Sequence, residues 1–225
     1  VKTQMRLVSI CDGGRSNKKT QGKIHFLVLY RKNNISFSKM KTFYVPHSPI
    51  GIYEAKYKQN FFHKKFSLQK EDQVILHAGW IHDAMCVDKF AKACSNWNPS
   101  YKLVLHEREQ RCKEEPFIRK VVSLSQGKAL LSLDPVPFDK LDEIFSSATI
   151  GLVAYNKSYG GGRENAHKAS GKLGQFLKCG IPVIALDLPG YSEMFHLYQC
   201  GIAFKEFDEI ESAINTILSD YETYQ

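Results

Sequence analysis

From about Ser67 to the C-terminus, short continuous apolar runs alternate with segments in which apolar residues recur every three or four positions. The continuous runs predict buried β-strands at residues 74–78, 102–105, 128–133, 149–155, 181–188 and 202–204. The periodic segments predict amphipathic helices at residues 83–97, 139–148, 170–180 and 210–221. Buried strands that alternate with helices form a parallel sheet covered on both faces. The pattern therefore predicts an α/β fold with a doubly wound parallel sheet.

The first 66 residues lack this pattern, so we predict two parts, an N-terminal appendage of residues 1–66 and a domain of residues 67–225. Two strand candidates, 24–30 and 41–45, are separated by polar sequence rich in asparagine and serine. Two strands without a helix cannot enclose a core. The appendage is therefore not expected to fold as an independent domain.

The positive charge of the chain is concentrated in this appendage. Residues up to Phe66 hold 14 of the 31 lysines and arginines but only 2 of the 23 acidic residues. Such a segment can contact anionic lipid headgroups or nucleic acid. A solvated or partly disordered flank is the plainer interpretation, and we expect no nucleic-acid partner. The alternative that stays open is peripheral contact with the inner face of a membrane.

Several classes of protein are disfavoured by what the sequence lacks. No apolar run approaches membrane-spanning length and the first ten residues lack a signal-peptide layout, which favours the cytoplasm. The six cysteines form no Cys-x-x-Cys pair, so we expect reduced thiols. The Gly-x-Gly-x-x-Gly, P-loop, His-x-Glu-x-x-His and Asp-x-Asp motifs are all missing. We therefore expect no dinucleotide cofactor and no metal site.

The start of the predicted helix at 170–180 is the strongest candidate for a binding site. Ser170 offers a capping hydroxyl, Gly171 leaves the backbone accessible, and Lys172 adds a positive charge. Free N–H groups and the helix dipole favour an anion at such a terminus, so we predict a phosphate site there. Gly79, at the end of the first strand, would let backbone approach a diphosphate, although a plain strand-to-helix turn explains it equally well.

Two further loops at predicted strand ends are candidates for contacts with a ligand. Pro135 and Val136 follow the third strand and form a stiff edge that could flank a nucleobase or simply connect two elements. Arg163, Glu164 and Asn165 follow three consecutive glycines and offer donors and acceptors suited to sugar hydroxyls and phosphate. A mobile surface loop is the alternative for these three.

The segment Gly171-Lys172-Leu173-Gly174-Gln175-Phe176-Leu177, followed by Cys179-Gly180-Ile181-Pro182-Val183-Ile184, resembles the donor-binding segment of GT-B glycosyltransferases of the family 4-like, group 1 type. Surface-polysaccharide members carry a related stretch, Ser-Lys-Leu-x-Glu-Tyr-Leu-x-x-Gly-x-Pro-Val-Ile. The resemblance covers roughly residues 44–225 and implies a C-terminal domain that binds a nucleotide diphosphate sugar. It further implies that residues 1–66 are a linker and a remnant of the N-terminal domain.

By this resemblance, the whole enzyme transfers a hexose, usually with retention, to a saccharide or lipid-linked acceptor in surface polysaccharide biosynthesis. No cofactor or metal is implied, and no catalytic base can be named. The acceptor contacts would come from the N-terminal domain, so we expect this chain alone to bind the donor weakly and to be inactive.

The chain departs from the family at several binding positions. Two family glutamates that hold the sugar and the ribose correspond to His167 and Gln175. Gln175 can still contact a ribose, whereas the sugar contact is expected to pass to Glu164 or Asn165. The loop after the first strand lacks the usual arginine and lysine, which leaves Lys172, with His82 as a possible helper, to hold the diphosphate.

Two other functions remain open. A GT-B sugar-nucleotide epimerase would share the donor domain, but the altered glutamate positions count against it. A non-catalytic nucleotide-sugar-binding module is favoured by those same substitutions.

Overall fold

The computed structural model describes residues 59–159 and 166–225. The strand candidates at 24–30 and 41–45, the first 58 of the 66 residues of the basic appendage, and Arg163, Glu164 and Asn165 lie outside the described residues. In the described part, none of the helices is both long and apolar enough to cross a bilayer.

Six parallel strands form one sheet in the order β3-β2-β1-β4-β5-β6. They are β1 Gln73–Ala78, β2 Tyr101–His106, β3 Leu130–Ser132, β4 Ile150–Val153, β5 Val183–Leu186 and β6 Gly201–Phe204. The prediction of a doubly wound parallel sheet is confirmed. The strand order reverses between β1 and β4, which is where ligands of such sheets bind, at the carboxyl ends of the strands.

Helices cover both faces of this sheet. They are α1 Phe61–Phe66, α2 Val87–Cys94, α3 Pro116–Leu124, α4 Leu141–Ser146, α5 Ala166–Ala169, α6 Gly171–Lys178, α7 Tyr191–Tyr198, α8 Ile210–Ser219 and α9 Tyr221–Tyr224. The predicted helices at 139–148, 170–180 and 210–221 correspond to α4, α6 and α8. The sequence pattern did not indicate α1, α3, α5 or α7.

The predicted helix at 83–97 is wrong in one respect, because it is interrupted near its start. A short 3₁₀ turn covers Asp83–Met85, and Cys86 then takes a left-handed conformation with φ of 56° before α2 begins. The turn is closed at both ends, since the amide of Ala84 donates to His82 Nδ1 and the amide of Cys86 donates to the carbonyl of Asp83. The loop after β1 is therefore a compact structure of its own.

Two apolar cores lie on opposite faces of the sheet. Along β1, Ile75 belongs to the core that includes residues of α2, α3 and α8, whereas Val74 and Leu76 belong to the core that includes residues of α1, α4, α6 and α7. This alternation follows from the period of two of a β-strand. Phe62 of α1 is fully buried in the second core, so α1 packs on the sheet. The position of the domain boundary stays a prediction.

Two histidines at strand ends are part of this packing. His77 and His106 are almost completely buried, and burial lowers the pKa of both imidazoles, that of His106 to about 4. Both are therefore neutral at pH 7, in agreement with a structural role. Cys86, Cys94 and Cys179 are buried free thiols.

A close contact between Gly151 and Phe176 sets the distance of α6 from the sheet. A Cβ atom at Gly151 of β4 would lie 2.6 Å from the ring of Phe176. Phe176 is fully buried and also contacts Phe145 edge to face, with ring centroids 4.7 Å apart. The absence of a side chain at position 151 therefore lets α6 lie directly on β4.

We predict that Gly151→Ala destabilises the protein by about 1–3 kcal/mol, because the added methyl group overpacks the core against Phe176. Urea unfolding measures the change. The double variant Gly151→Ala/Phe176→Leu should lose less stability than the sum of the two single variants, since the smaller side chain gives the methyl group room. Additive losses would contradict the proposed contact.

Candidate functional site

The candidate site lies at the carboxyl ends of β1 and β4, the two strands at which the sheet order reverses. Gly79 follows β1, Tyr155 follows β4, and Ser170 precedes the first residue of α6. The predicted phosphate site and the predicted diphosphate turn therefore meet at one edge of the sheet. In the described part of the chain, no cluster of histidine, cysteine or acidic residues suited to a metal ion is present.

Ser170 fixes the start of α6. Its Oγ accepts a hydrogen bond from the amide of Leu173 at 3.2 Å and lies 2.6 Å from Tyr155 Oη. This hydrogen bond makes the buried Ser170 the N-cap of α6. At the N-terminus of α6, an anion would therefore be met by backbone N–H groups, which have no partner within the helix.

Lys172 extends from α6 toward the end of β1. A Cβ atom at Gly79 would lie 3.7 Å from Lys172 Nζ, and Nζ lies 3.6 Å from Met85 Sδ and 5.4 Å from the centre of the Tyr155 ring. The half-buried lysine thus has apolar and aromatic neighbours at the switch point of the sheet.

These surroundings change the acidity of Lys172. Burial above all, and the nearby charge of Arg108 next, lower the pKa of its ammonium group to about 7, whereas Cys86 and Glu107 act in the opposite direction. Near pH 7 the charged form is therefore only partly populated. An anion bound beside it would stabilise that form.

Gly79 has a backbone conformation that favours glycine, and it lies beside the ammonium group of Lys172. Its φ of 125° is rarely adopted by residues with a side chain, and its amide donates to the carbonyl of His106 at 2.9 Å. A side chain at position 79 would occupy space beside the ammonium group of Lys172. Glycine at this position leaves that space for another group.

Gln175 is three residues beyond Lys172, so the two side chains leave α6 on the same side. Its Oε1 is buried and makes no hydrogen bond to any described residue. A buried amide oxygen without a partner costs free energy, which a ligand hydroxyl that donates to it would recover.

His82 is held within the loop after β1. Its Nδ1 lies 3.1 Å from the amide of Ala84 and 2.7 Å from Asp83 Oδ1, and its ring stacks on Trp80 with centroids 4.7 Å apart. Tyr159 donates to Asp83 Oδ2 at 2.5 Å and thereby lowers the pKa of that carboxyl group. His82 is half-exposed and lies one residue from Trp80, near the candidate site.

Pro135 and Val136 lie farther along the same edge of the sheet. They follow β3, which is separated from β1 by β2. Pro135 is exposed, whereas Val136 packs against the second core. His167, at the other family glutamate position, lies against the turn before α7, because a Cβ atom at Gly190 would lie 2.2 Å from its ring.

The sequence analysis missed a polar group in the loop after β2. Glu107 is fully buried and accepts hydrogen bonds at 2.8 Å from the backbone amides of Ile81 and Arg108. Arg111 Nη1 lies 3.4 Å from the same carboxylate. The run Glu-Arg-Glu directly after a buried strand was the available signal. This carboxylate ties the loops after β1 and β2 together.

No protein-family model and no curated protein matches the chain. Solved structures do match. HepE of Anabaena, solved with UDP and glucose, has a TM-score of 0.56 and 12% identity over 73% of this chain and 43% of that chain. The C-terminal domain of the group 1 glycosyltransferase LpcC from Francisella tularensis has a TM-score of 0.55 and 13% identity over 77% of this chain and 88% of that chain. WaaG, a glycosyltransferase involved in lipopolysaccharide biosynthesis, has a TM-score of 0.54 and 16% identity over 79% of this chain and 48% of that chain.

These matches define the fold. The chain has the fold of the C-terminal domain of a GT-B glycosyltransferase, as the sequence resemblance implied. It spans less than half the length of the HepE and WaaG structures.

We predict that Lys172→Met stabilises the protein most below pH 7. The pKa of Lys172 is about 7 in the folded state and about 10.5 in the unfolded state. Between these values the unfolded state binds more protons, so the wild-type protein becomes more stable as pH rises. The advantage of Lys172→Met should therefore shrink from pH 7 to pH 10. Urea unfolding at pH 6, 8 and 9.5 measures it, with Lys157→Met in an exposed turn as control. A constant difference would contradict the buried charge.

Proposed function

We propose that this chain is the donor-binding domain of a GT-B glycosyltransferase that transfers a hexose, with retention, from a nucleotide diphosphate sugar. The acceptor is a saccharide or a lipid-linked saccharide in surface polysaccharide biosynthesis. The observation that carries the proposal is the position of Lys172 Nζ beside Gly79 and the N-terminus of α6. Cationic and N–H groups there can neutralise a diphosphate.

In this proposal the site acts on the leaving group. When the bond from the sugar C1 to the diphosphate oxygen breaks, negative charge grows on the diphosphate. The ammonium of Lys172 and the N–H groups of Gly171 and Lys172 at the helix terminus stabilise that charge. Because they are fixed in place and partly shielded from water, they do so without large reorganisation.

The remaining donor contacts are assigned by position. Gln175 Oε1 accepts from a ribose hydroxyl, Pro135 and Val136 flank the base, and Arg163, Glu164 and Asn165 contact the sugar. The buried oxygen of Gln175, which has no hydrogen-bond partner among the described residues, supports the first of these. HepE has been solved with UDP and glucose, which supports a nucleotide sugar as the donor for this fold.

His167 favours one alternative function, a non-catalytic nucleotide-sugar-binding module. It stands where the resembling family has a sugar-binding glutamate, and its imidazole packs against Gly190. No carboxylate therefore replaces that glutamate at this position. A non-catalytic nucleotide-sugar-binding module would tolerate this loss. Turnover by a longer protein that includes the N-terminal half separates the two, since only the transferase releases a nucleoside diphosphate in an acceptor-dependent manner.

The first test is calorimetric binding of UDP-, GDP-, ADP- and dTDP-sugars to the chain. We expect weak binding of one of them without turnover. Lys172→Ala should weaken it about ten-fold or more, because charge-assisted contacts to phosphate contribute about 1.5–3 kcal/mol. Lys157→Ala is the control. An equal loss of affinity for the free nucleoside would show that Lys172 does not act on phosphate, and the absence of any nucleotide-sugar binding would overturn the proposal.

A second prediction concerns the ribose. Gln175→Glu should retain or improve affinity for the nucleoside diphosphate, because a carboxylate can accept hydrogen bonds from both ribose hydroxyls. The 2′,3′-dideoxy nucleotide, titrated in parallel, should bind wild type and variant equally. A large loss of affinity in Gln175→Glu for both nucleotides would place the side chain away from the ribose.

A further inference from the structure

Loops from two neighbouring strands meet beside Lys172. The register of β1 and β2 pairs Ala78 with His106, and the amide of Gly79 donates to the carbonyl of His106. Trp80 and Arg108 are therefore equivalent positions, each two residues beyond a paired strand end. The site is thus bordered by the loop after β2 as well as by the loop after β1.

The side chain of Arg108 packs on a stack of aromatic side chains. Its guanidinium carbon lies 5.2 Å from the centre of the Trp80 ring. Trp80 stacks on His82 with an interplanar angle of 20°, and His82 stacks on Phe117 with centroids 5.9 Å apart. A guanidinium on an indole face is held by cation–π attraction, most strongly with tryptophan. The stack therefore restricts where the charge of Arg108 lies.

Glu107 positions the backbone of the loops after β1 and β2. It is fully buried, and one carboxylate accepts from the amide of Ile81 in the first loop and from the amide of Arg108 in the second. Arg111 is occupied by Glu107 and Glu115, with 2.6 Å between Nε and Glu115 Oε2. Arg111 therefore does not offer a free charge to a ligand.

The charge of Arg108 remains available to a ligand. Its side chain is 59% exposed, and its ion pair with Glu109 is 3.6 Å long between two exposed groups. Such surface pairs contribute little to stability and exchange readily for a stronger anion. Arg108 is also among the charges that lower the pKa of Lys172, as expected for two cations near the same end of the sheet. An anion bound between them would relieve this repulsion.

We infer that Arg108 is a second diphosphate-binding cation, supplied by the loop after β2, with Trp80 and Glu107 as its positioning residues. The inference rests on the proposed function. Two cations at one anion site favour a ligand with two phosphate groups over a ligand with one. Arg108 therefore contributes to the selection of nucleoside diphosphates over monophosphates.

Calorimetry with inorganic pyrophosphate, a nucleoside diphosphate and the matching monophosphate tests this role. Arg108→Ala should weaken binding of the diphosphate about ten-fold and that of the monophosphate much less, and Arg108→Lys should restore part of the loss. Trp80→Ala should weaken diphosphate binding, but Trp80→Ala/Arg108→Ala should bind no worse than Arg108→Ala, because Trp80 acts through Arg108. Arg119→Ala, an exposed arginine on α3, is the matched control.

The outcomes separate this inference from the proposed function. If the wild-type chain binds nucleotide sugars and Arg108→Ala binds the diphosphate equally well, the inference is overturned and the proposed function stands. If pyrophosphate binding depends on Arg108 but no nucleotide sugar binds, the cation pair stands and the proposed function fails. Glu107→Gln adds a check, because a positioning role predicts weaker diphosphate binding with unchanged nucleoside binding.

Discussion

The close contact of α6 with β4 is the constraint on which the candidate site depends. Gly151 has no side chain, so the ring of Phe176 rests on the backbone of the strand. This contact fixes the depth of α6, and Ser170 fixes where the helix begins. Lys172 is one turn before Phe176 and therefore reaches the end of β1. A helix one methyl group farther out would move the ammonium group away from Gly79.

The site combines buried charges that would be costly in an ordinary core. Lys172 has lost much of its hydration, and Glu107 is a carboxylate without exposure to solvent. Glu107 is compensated by two amide donors and Arg111. Among residues 59–159 and 166–225, Lys172 has no comparable hydrogen-bonded anion, and the donor contact of its ammonium group there is to the sulfur of Met85. A charge that is only partly compensated costs stability, and such costs are concentrated where proteins bind ligands.

The sequence predicted the sheet well because its strands are buried on both faces and therefore read as continuous apolar runs. Among the elements that it missed, α7 has a weak pattern. In α7, Leu197 and Tyr198 are exposed next to the buried Phe195, so the apolar residues do not mark one face. The break at Cys86 depends on two hydrogen bonds, from the amide of Ala84 to His82 and from the amide of Cys86 to the carbonyl of Asp83. A helical periodicity cannot reveal them.

The same distinction explains the candidate site. Lys172 and Gly79 were predictable, because a helix start and a strand end at the switch point of a doubly wound sheet must be near each other. Glu107 and Arg108 are marked in the sequence only as a charged run after a strand, and their place beside the first loop depends on the register that pairs Ala78 with His106. The loop after β1 lacks the arginine and lysine that are usual in the resembling glycosyltransferases. Because the ends of β1 and β2 are aligned, such a charge need not come from the loop after β1 itself. A neighbouring strand can supply the charge, and the indole of Trp80, which occupies the first loop, then becomes its support.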